Sequence, residues 1–382
     1  EKDIFPAVPS QGSVGASGDL VPLSHMALAI IGEGEVFYHN ELKPAKEVLK
    51  SLDVKPYKLK PKEGLSLING THFMTVLAAF AVEEAKILSR AADVIGALSL
   101  SAIKGSLEPF DQRIHAIRPH KGQSIVAQNF RAIFKDSEQH IHTQDAYNRV
   151  QDPYSFRCIP QVHGAVRDAI DYASEKVNIE LNSVTDNPLC CDNGDIISNG
   201  NFHGEPVALA MDFLGIAMTD IGSISERRTE KLTNPSTSGL PPFVIKESGL
   251  NSGFMIPHVV SAALTSENKF LSHPASVDSI PTSADKEDHV SMGPISARKA
   301  RDIIKSVSNI LAIELLIACQ AKDLSGPFKS EHLLSQIFNK VREISPFIEK
   351  DRSLHKDIEK VSEWIVFGGI DDIVKHSKSE IN

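Results

Sequence analysis

The stretch SVGASGD, residues 13–19, places Ala16, Ser17 and Gly18 in a turn directly before an apolar run over residues 23–31. A glycine-rich loop that leads into a helix is often only a turn. It is not the G-x-S-x-G elbow of a serine hydrolase, because Asp19 stands where the second glycine is required. No Gly-Lys-Ser/Thr follows, which also excludes a phosphate-binding loop.

Condensation of the chain with itself fits the three small residues better. Gly18 has no side chain, so its backbone nitrogen can approach the carbonyl carbon of Ala16 more closely than the nitrogen of any other residue type could at this position. Attack at that carbon with loss of water, together with dehydration of Ser17, would give a five-membered imidazolone ring with an exocyclic methylene. The stretch can therefore generate an electrophile from the chain alone.

The surrounding sequence GSVGASGDLVPLSH, residues 12–25, resembles the prosthetic-group loop of the aromatic amino acid ammonia-lyases. The resemblance extends over nearly the whole chain. It implies that Ala16, Ser17 and Gly18 form the family's prosthetic group, 4-methylideneimidazole-5-one (MIO), autocatalytically. Asp19 matches an aspartate of the family that is implicated in formation of the ring.

Composition and charge indicate an ordinary globular protein. Of the 382 residues, 41% are hydrophobic and 23% are charged, and the net charge of −9 disfavours nucleic acid as a partner. No unbroken apolar run reaches the roughly 18 residues of a membrane span, so no membrane partner is expected. Four cysteines do not make a disulfide framework in a chain of this length, and they favour a cytoplasmic location.

Helical periodicity predicts an all-α fold with few, short strands. The clearest patterns cover residues 73–98 and 298–319, and a helix is also expected at 19–31, with Asp19 near the positive end of its dipole. Short strands are expected at 36–38 and in one hairpin within 182–201. The resemblance implies one elongated central helical bundle, a single domain over residues 1–382 that lacks the N-terminal segment preceding the loop in the family.

The sequence QDPYSFR, residues 151–157, contains side chains suited to binding a carboxylate. Tyr154 and Arg157 are three residues apart and would share one side of a helical turn, and a guanidinium can bind a carboxylate through two parallel hydrogen bonds. The pattern is also typical of a loop-to-helix junction with a surface arginine. In the family, the resembling motif supplies an arginine that holds the substrate carboxylate, an active-site tyrosine and a pocket glutamine, here Gln151.

Three further motifs resemble family sequences. Asn69, in EGLSLING, is well placed to cap the long helix that follows, whereas the resemblance gives it contacts to the prosthetic group and the substrate. Phe202, in GNFHGE, is either a buried aromatic at a helix start or, by resemblance, a residue beside the electrophile. The third motif, NSVTDNP at residues 182–188, is interpreted as structural.

Substrate choice is expected to depend on KEDHVSM, residues 286–292. The carboxylate of Glu287 suits the imidazole of histidine, through a hydrogen bond or charge, whereas phenylalanine and tyrosine enzymes of the family carry a Gln-centred sequence here. A solvated acidic turn is the structural alternative. Histidine-specific members usually have Gln before this Glu, and Lys286 at that position could lower the pKa of Glu287 or point away from it.

The remaining polar clusters do not predict a metal or ligand site. His140 and His142 form a His-x-His pair, but no third ligand lies at a diagnostic spacing, so no metal site is predicted. His163 is interpreted as structural. The pair Arg227-Arg228 is expected at the surface or at a subunit contact.

Taken together, the motifs resemble the histidine-specific branch of the family. The resemblance implies removal of ammonia from L-histidine to leave trans-urocanate, the first step of histidine degradation. Its implied catalytic residues, besides the ring-forming ones, are Asn69, Tyr154, Arg157, Phe202 and Glu287. It also implies a homotetramer whose active sites combine loops from several subunits. The alternatives are a tyrosine or phenylalanine ammonia-lyase, an aminomutase, or an inactive truncated assembly subunit.

Overall fold

The computed structural model describes residues 3–135, 151–328, 332–377 and 381–382, and these form an all-α fold with few, short strands, as predicted. The α-helices within these ranges are α1 Val21–Ile30, α2 Ala45–Ser51, α3 Glu63–Ser66, α4 His72–Ala102, α5 Gln112–Ala116, α6 Lys121–Ile133, α7 Tyr154–Arg157, α8 Ile159–Glu180, α9 Glu205–Thr233, α10 Pro235–Ser238, α11 Met255–Leu271, α12 Gly293–Ser325, α13 His332–Ile344, α14 His355–Val366 and α15 Gly369–His376. The strands are β1 Ile4–Pro6, β2 Glu35–Tyr38, β3 Glu41–Pro44, β4 Leu189–Cys190 and β5 Ile196–Ile197. The pair His140 and His142 lies outside the described residues.

The longest helices extend beyond the segments whose periodicity predicted them. Helix α4 continues past the predicted end at residue 98 to Ala102, and α12 begins at Gly293, ahead of the predicted start at 298. The early start of α12 is possible because Pro294 lies in its first turn, where a missing N–H removes no helical hydrogen bond.

The chain divides into two compact units, each assembled from three separate stretches. The first unit contains Glu1–Ala81, Ala173–Phe213 and Pro274–Arg301, and the second contains Val82–Tyr172, Leu214–His273 and Asp302–Asn382. The expectation of a single functional domain stays a prediction.

In the first unit, a three-stranded antiparallel sheet has β2 between β1 and β3. Val36 of β2 is buried in a cluster with Ala29, Ala45 and Val48. Strand β2 and the hairpin β4–β5 confirm the predicted strands. Strands β1 and β3 were not predicted, because each ends in a proline and β3 also contains Glu41 and Lys43, residue types that are depleted in strands.

The second unit has a charged network in its core, and the expected surface position of Arg228 is wrong. Arg227 is exposed, but Arg228 is fully buried and pairs with Glu314 through two contacts, Nε to Oε1 at 2.5 Å and Nη2 to Oε2 at 2.8 Å. No local pattern identifies Glu314 as the partner of Arg228, because the two residues lie 86 positions apart. His163 is buried and lies 2.8 Å from Asp93, in agreement with a structural role.

Helix α9 is the one helix among the described residues that is long and apolar enough to cross a membrane, judged by length and composition alone. Its most apolar window has a mean hydropathy of 1.6, although no unbroken apolar run marks it in the sequence. Because 72% of that window is buried inside the protein, packing in the core accounts for its apolar character.

Candidate active site

Backbone contacts hold the loop over residues 13–19 in place. Ala16 and Gly18 are buried and Ser17 is half-buried. Gly18 has a φ of 71°, in the left-handed region that favours glycine. It forms a parallel bridge with Gly70, whose carbonyl also accepts the N–H of Asp19 at 2.7 Å. Because a β-carbon on residue 18 would overlap the Gly70 backbone, both conformation and space require glycine there.

Asp19 is fully buried and caps the long helix α4 rather than starting α1. Its carboxylate accepts the backbone N–H groups of Phe73 at 2.5 Å and Met74 at 3.2 Å, in the first turn of α4. Helix α1 begins only at Val21, so the predicted start at residue 19 is wrong. Burial raises the pKa of Asp19 to about 7, against the two backbone hydrogen bonds, and the nearby Glu180 adds to the rise.

The buried side chain of Asn69 connects Ser17 to the NSVTDNP motif. The Ser17 hydroxyl donates to Asn69 Oδ1 at 2.5 Å, and Asn69 Nδ2 donates to Asp186 Oδ1 at 2.9 Å and to the carbonyl of Asn187 at 3.2 Å. Helix α4 begins at His72, and none of these bonds involves a helix N–H. Asn69 therefore does not cap α4, and it contacts the serine of the predicted ring.

The Asp186 carboxylate receives hydrogen bonds on both oxygens. Oδ2 accepts from Lys62 Nζ at 2.5 Å and Ser66 Oγ at 2.8 Å, while Oδ1 accepts from Asn69 and from the N–H of Asn187. Burial alone would raise the pKa of Asp186, but Lys62 and the hydrogen bonds favour the ionised form and lower it to about 2. The motif therefore contacts Asn69 directly, through a residue 117 positions away along the chain, in agreement with the structural role expected of it.

The segment that follows Glu287 pairs with the loop that contains Ser17. The N–H of Met292 donates to the carbonyl of Val14 at 2.8 Å. Met292 also packs with Ala16 in a buried apolar cluster. The structure therefore brings the predicted substrate-selecting segment and the predicted electrophile loop together in the first unit.

The half-buried carboxylate of Glu287 is oriented by its own turn. The hydroxyls of Thr282 and Ser283 donate to Oε2 at 2.8 Å and 2.6 Å. The backbones of Thr282 and Glu287 pair as well, which closes the turn. Lys286 is exposed, and within the described ranges its ammonium makes no hydrogen bond to Glu287.

The GNFHGE motif lies against the same segment. The Nε2 atom of His203 is 3.0 Å from the carbonyl oxygen of His289, and the two rings stack with centroids 5.8 Å apart. A β-carbon on Gly204 would clash with Met74, in the first turn of α4. The half-buried Phe202 is therefore part of a motif that is fixed beside the start of α4.

His203, Glu205 and His289 form a polar group that the sequence did not reveal. One possible ligand atom of each lies within 4.8 Å of the others. Both ring nitrogens of His203 already have partners, namely the carbonyl of His289 and the N–H of Glu205. Hydrogen bonding between the two motifs accounts for this arrangement.

Gln151, Tyr154 and Arg157 lie in the second unit, on and just before α7. Gln151 is exposed, Tyr154 is 72% exposed, and Arg157 Cζ lies 4.8 Å from the centroid of the Tyr154 ring. Arg157 Nε is buried and has no hydrogen-bond partner in the described part of the chain. A guanidinium held over an aromatic ring with a free donor can bind an anionic ligand.

The sequence also matches known proteins over most of its length. The family model for the aromatic amino acid lyases covers residues 1–343. The histidine ammonia-lyase of Caldanaerobacter subterraneus subsp. tengcongensis is 50% identical over 376 residues, which are 98% of this chain and 73% of that relative.

Solved structures of related enzymes have the same fold. Histidine ammonia-lyase from Trypanosoma cruzi aligns with a TM-score of 0.91 at 45% identity, over 99% of this chain and 72% of that one. Tyrosine aminomutase from Streptomyces globisporus aligns with a TM-score of 0.92 at 38% identity, over 99% of this chain and 75% of that one. By its family-model match and these identities, the chain belongs to the aromatic amino acid lyase family.

Proposed function

We propose that the protein is a histidine ammonia-lyase, which removes ammonia from L-histidine without oxidation and releases trans-urocanate. The observation that carries the proposal is the hydrogen bond from Ser17 to Asn69, next to a Gly18 whose conformation and packing require glycine. Identities of 50% and 49% to proteins named histidine ammonia-lyase support histidine as the substrate.

The proposal includes MIO, formed from Ala16, Ser17 and Gly18. The Gly18 nitrogen must bond to the carbonyl carbon of Ala16 with loss of one water, and Ser17 must lose a second water. The residues fit this group, because Ala16 and Gly18 are buried and Asn69 holds the Ser17 hydroxyl. Once formed, the ring supplies an electrophilic carbon that makes the substrate amine a better leaving group.

Arg157 is the proposed anchor of the substrate carboxylate. Its buried Nε lacks a partner in the described part of the chain, and a buried donor without an acceptor destabilises the free protein. A carboxylate that binds through two parallel hydrogen bonds would satisfy it. Tyr154 would assist beside the guanidinium, and Gln151 would line the pocket.

Glu287 is the proposed partner of the substrate imidazole. The hydroxyls of Thr282 and Ser283 fix its carboxylate, so little orientation entropy is lost when a ligand nitrogen binds. Asn69 would contact the reaction centre through the carboxamide that already meets Ser17. Phe202 would lie beside the electrophile, as its motif does in the family.

A homotetramer with shared active sites and a cytoplasmic location complete the proposal. The ring-forming residues belong to the first unit, whereas Arg157 belongs to the second. Helix α11 exposes Ile256, Val259, Val260 and Phe270, an apolar surface that another subunit could cover. The four cysteines are free thiols, which suits a reducing compartment.

A tyrosine or phenylalanine ammonia-lyase or aminomutase is the second candidate, and the similarity to tyrosine aminomutase favours it. A non-catalytic assembly subunit is the third. Incubation of the purified protein with L-histidine, L-tyrosine and L-phenylalanine separates the three. Urocanate from histidine alone supports the proposal, an aryl acrylate or a β-amino acid supports the second candidate, and no product from any substrate supports the third.

A further inference from the structure

The carboxamide of Asn69 has two unlike ends, and only one orientation suits its neighbours. Its Oδ1 accepts the Ser17 hydroxyl, whereas Nδ2 donates to Asp186 Oδ1 and to the carbonyl of Asn187. Both partners on the Nδ2 side are acceptors. Half a turn of the carboxamide would place Oδ1 against two acceptors and would direct an N–H at Ser17.

Asp186 is the group that excludes the reversed orientation most strongly. Its pKa of about 2 keeps it ionised over the working pH range of an enzyme, since burial is outweighed by Lys62 and the hydrogen bonds it accepts. An ionised carboxylate has no proton to donate. A reversed Asn69, whose side chain is buried, would therefore bring its oxygen against a negative charge.

The carboxylate itself is held from the opposite side. Lys62 and Ser66 both donate to Oδ2, which leaves Oδ1 facing Asn69. The N–H of Asn187 donates to Oδ1 at 2.7 Å and further restricts its rotation. The chain of contacts from Lys62 through Asp186 and Asn69 to Ser17 is thus continuous.

We propose that Asp186 is a positioning residue that aims Asn69 Oδ1 at the Ser17 hydroxyl and thereby sets the rate at which the ring forms. This inference rests on the proposed function, because it concerns the same three ring-forming residues. In the dehydration of Ser17, the Cα–H and Cβ–O bonds break, a Cα=Cβ bond forms, and the oxygen leaves as water with the α-proton. With its hydrogen donated to Asn69, the hydroxyl oxygen keeps a lone pair free to accept that proton.

Replacing Asp186 with asparagine tests the inference. D186N preserves the shape, but Lys62 and Ser66 keep the carboxamide oxygen on their side, which turns its NH2 group toward Asn69 and favours the reversed orientation of Asn69. Protein made by cell-free synthesis is sampled over time, and the ring is followed by intact mass as the loss of two waters. We expect ring formation to slow about tenfold, which corresponds to a reversed orientation of Asn69 that is favoured by ~1.4 kcal/mol in D186N.

S66A is the matched control, because it removes a donor from Oδ2 and leaves the contact between Asp186 and Asn69 intact. The rate of ring formation in S66A should stay within about twofold of the wild-type rate. This is well below the tenfold slowing that corresponds to ~1.4 kcal/mol. If Asp186 serves only to attach its loop to Lys62 and Ser66, both substitutions should lower the melting temperature and neither should slow ring formation. That result would overturn the inference.

A donor–acceptor exchange keeps the inference testable if D186N does not fold. N69D alone places two carboxylates in contact, which repel each other, and should slow ring formation. The double variant N69D/D186N lets the carboxamide at 186 donate to the carboxylate at 69, which still offers an acceptor to Ser17. We expect it to form the ring about tenfold faster than N69D.

The possible failures are distinguishable. A double variant no faster than N69D, or D186N at the wild-type rate, contradicts the role of Asp186 while the wild-type protein still loses two waters. A wild-type protein that keeps its full mass contradicts the proposed function itself.

Discussion

At the scale of single residues, the carboxyl group of Asp19 is subject to two opposing effects, helix capping and burial. The start of α4 needs an acceptor for its free N–H groups, and the Asp19 carboxylate supplies it to Phe73 and Met74. Burial penalises the charge of that carboxylate and raises its pKa to about 7. The stability of the protein should therefore depend on the protonation of one carboxyl group.

The sign of this dependence follows from the two pKa values. The unfolded value is 3.8 and the folded value about 7, so between them the folded chain holds a proton that the unfolded chain releases. The contribution of Asp19 to the free energy of unfolding is full below pH 3.8 and is lost as the pH rises through 7. Relative to an Asp19→Asn variant, we expect a loss of about 2–3 kcal/mol from pH 5 to pH 8.

Urea unfolding at the two pH values measures this loss. Both proteins should carry Ser17→Ala, so that ring chemistry does not contribute to the difference. Parallel pH dependences with and without Asp19→Asn would show that the carboxyl is not buried as described.

Glu287 gives a second prediction at the scale of residues. Because Thr282 and Ser283 already orient its carboxylate, Glu287→Gln should retain the turn and remove only the charge. We expect kcat/KM for L-histidine to fall about 10- to 100-fold, the value of a charged hydrogen bond of ~1.5–3 kcal/mol. Any activity on L-tyrosine should change much less. The control is Asp288→Asn, a substitution at the exposed neighbouring residue. Equal losses for both amino acids would remove Glu287 from substrate selection.

At the scale of elements, two glycines let helices α6 and α8 come into backbone contact. A β-carbon on Gly122 would overlap the carbonyl of Gly164, and the N–H of Gly122 donates to Asp168 at 2.9 Å. Backbone atoms cannot move aside as a side chain can. Gly122 is therefore needed for this pair of helices to pack.

Gly122→Ala should lower the free energy of unfolding by about 1–3 kcal/mol, the range for overpacking. Gly200→Ala is the matched control, because nothing lies within 4 Å of its added β-carbon, and it should change stability by less than about 0.5 kcal/mol. Thermal unfolding of both variants makes the comparison. Similar melting temperatures would mean that the two helices are not in backbone contact.

Periodicity predicted the elements well where they are long, and less well where a local signal contradicts tertiary packing. Helices α4 and α12 were found because many apolar residues repeat along them, although both run further than predicted. Helix α15 was not predicted, because the glycine pair 368–369 ends the preceding pattern, whereas the chain begins a new helix at Gly369 itself. Only packing can decide whether such a glycine pair ends a helix or begins one.

At the scale of the whole molecule, the sequence showed which residues are chemically special but not what holds them. Ser17, Asn69 and Glu287 stand in recognisable motifs, and the structure places all three in the first unit. The partners Asp186 and Lys62 were not predicted, since hydrogen bonds between residues more than 100 positions apart leave no local pattern. Which polar groups meet in the folded chain depends on tertiary structure alone.

The buried pair of Arg228 and Glu314 should determine much of the stability of the second unit. Ser99 and Ser225 also donate to Glu314, so this carboxylate joins residues of α4, α9 and α12. Glu314→Gln leaves a buried guanidinium without its counter-charge and should lower the free energy of unfolding by about 3–5 kcal/mol. Urea unfolding followed by circular dichroism measures the loss.

The exposed ion pair of Lys340 and Glu343 provides the matched control. Glu343→Gln removes the same charge at the surface and should have an effect of less than about 1 kcal/mol. Equal effects of the two substitutions would mean that Glu314 is hydrated rather than buried.

The central claim is that Ala16, Ser17 and Gly18 become the electrophile of this enzyme. Intact mass spectrometry of the wild-type protein and of Ser17→Ala, each also assayed for urocanate from L-histidine, tests it most directly. The wild-type protein should be lighter than its sequence by two waters and active, and Ser17→Ala should have its full mass and form no urocanate. A wild-type protein of full mass that still deaminates histidine, or a Ser17→Ala variant of equal activity, would contradict the claim.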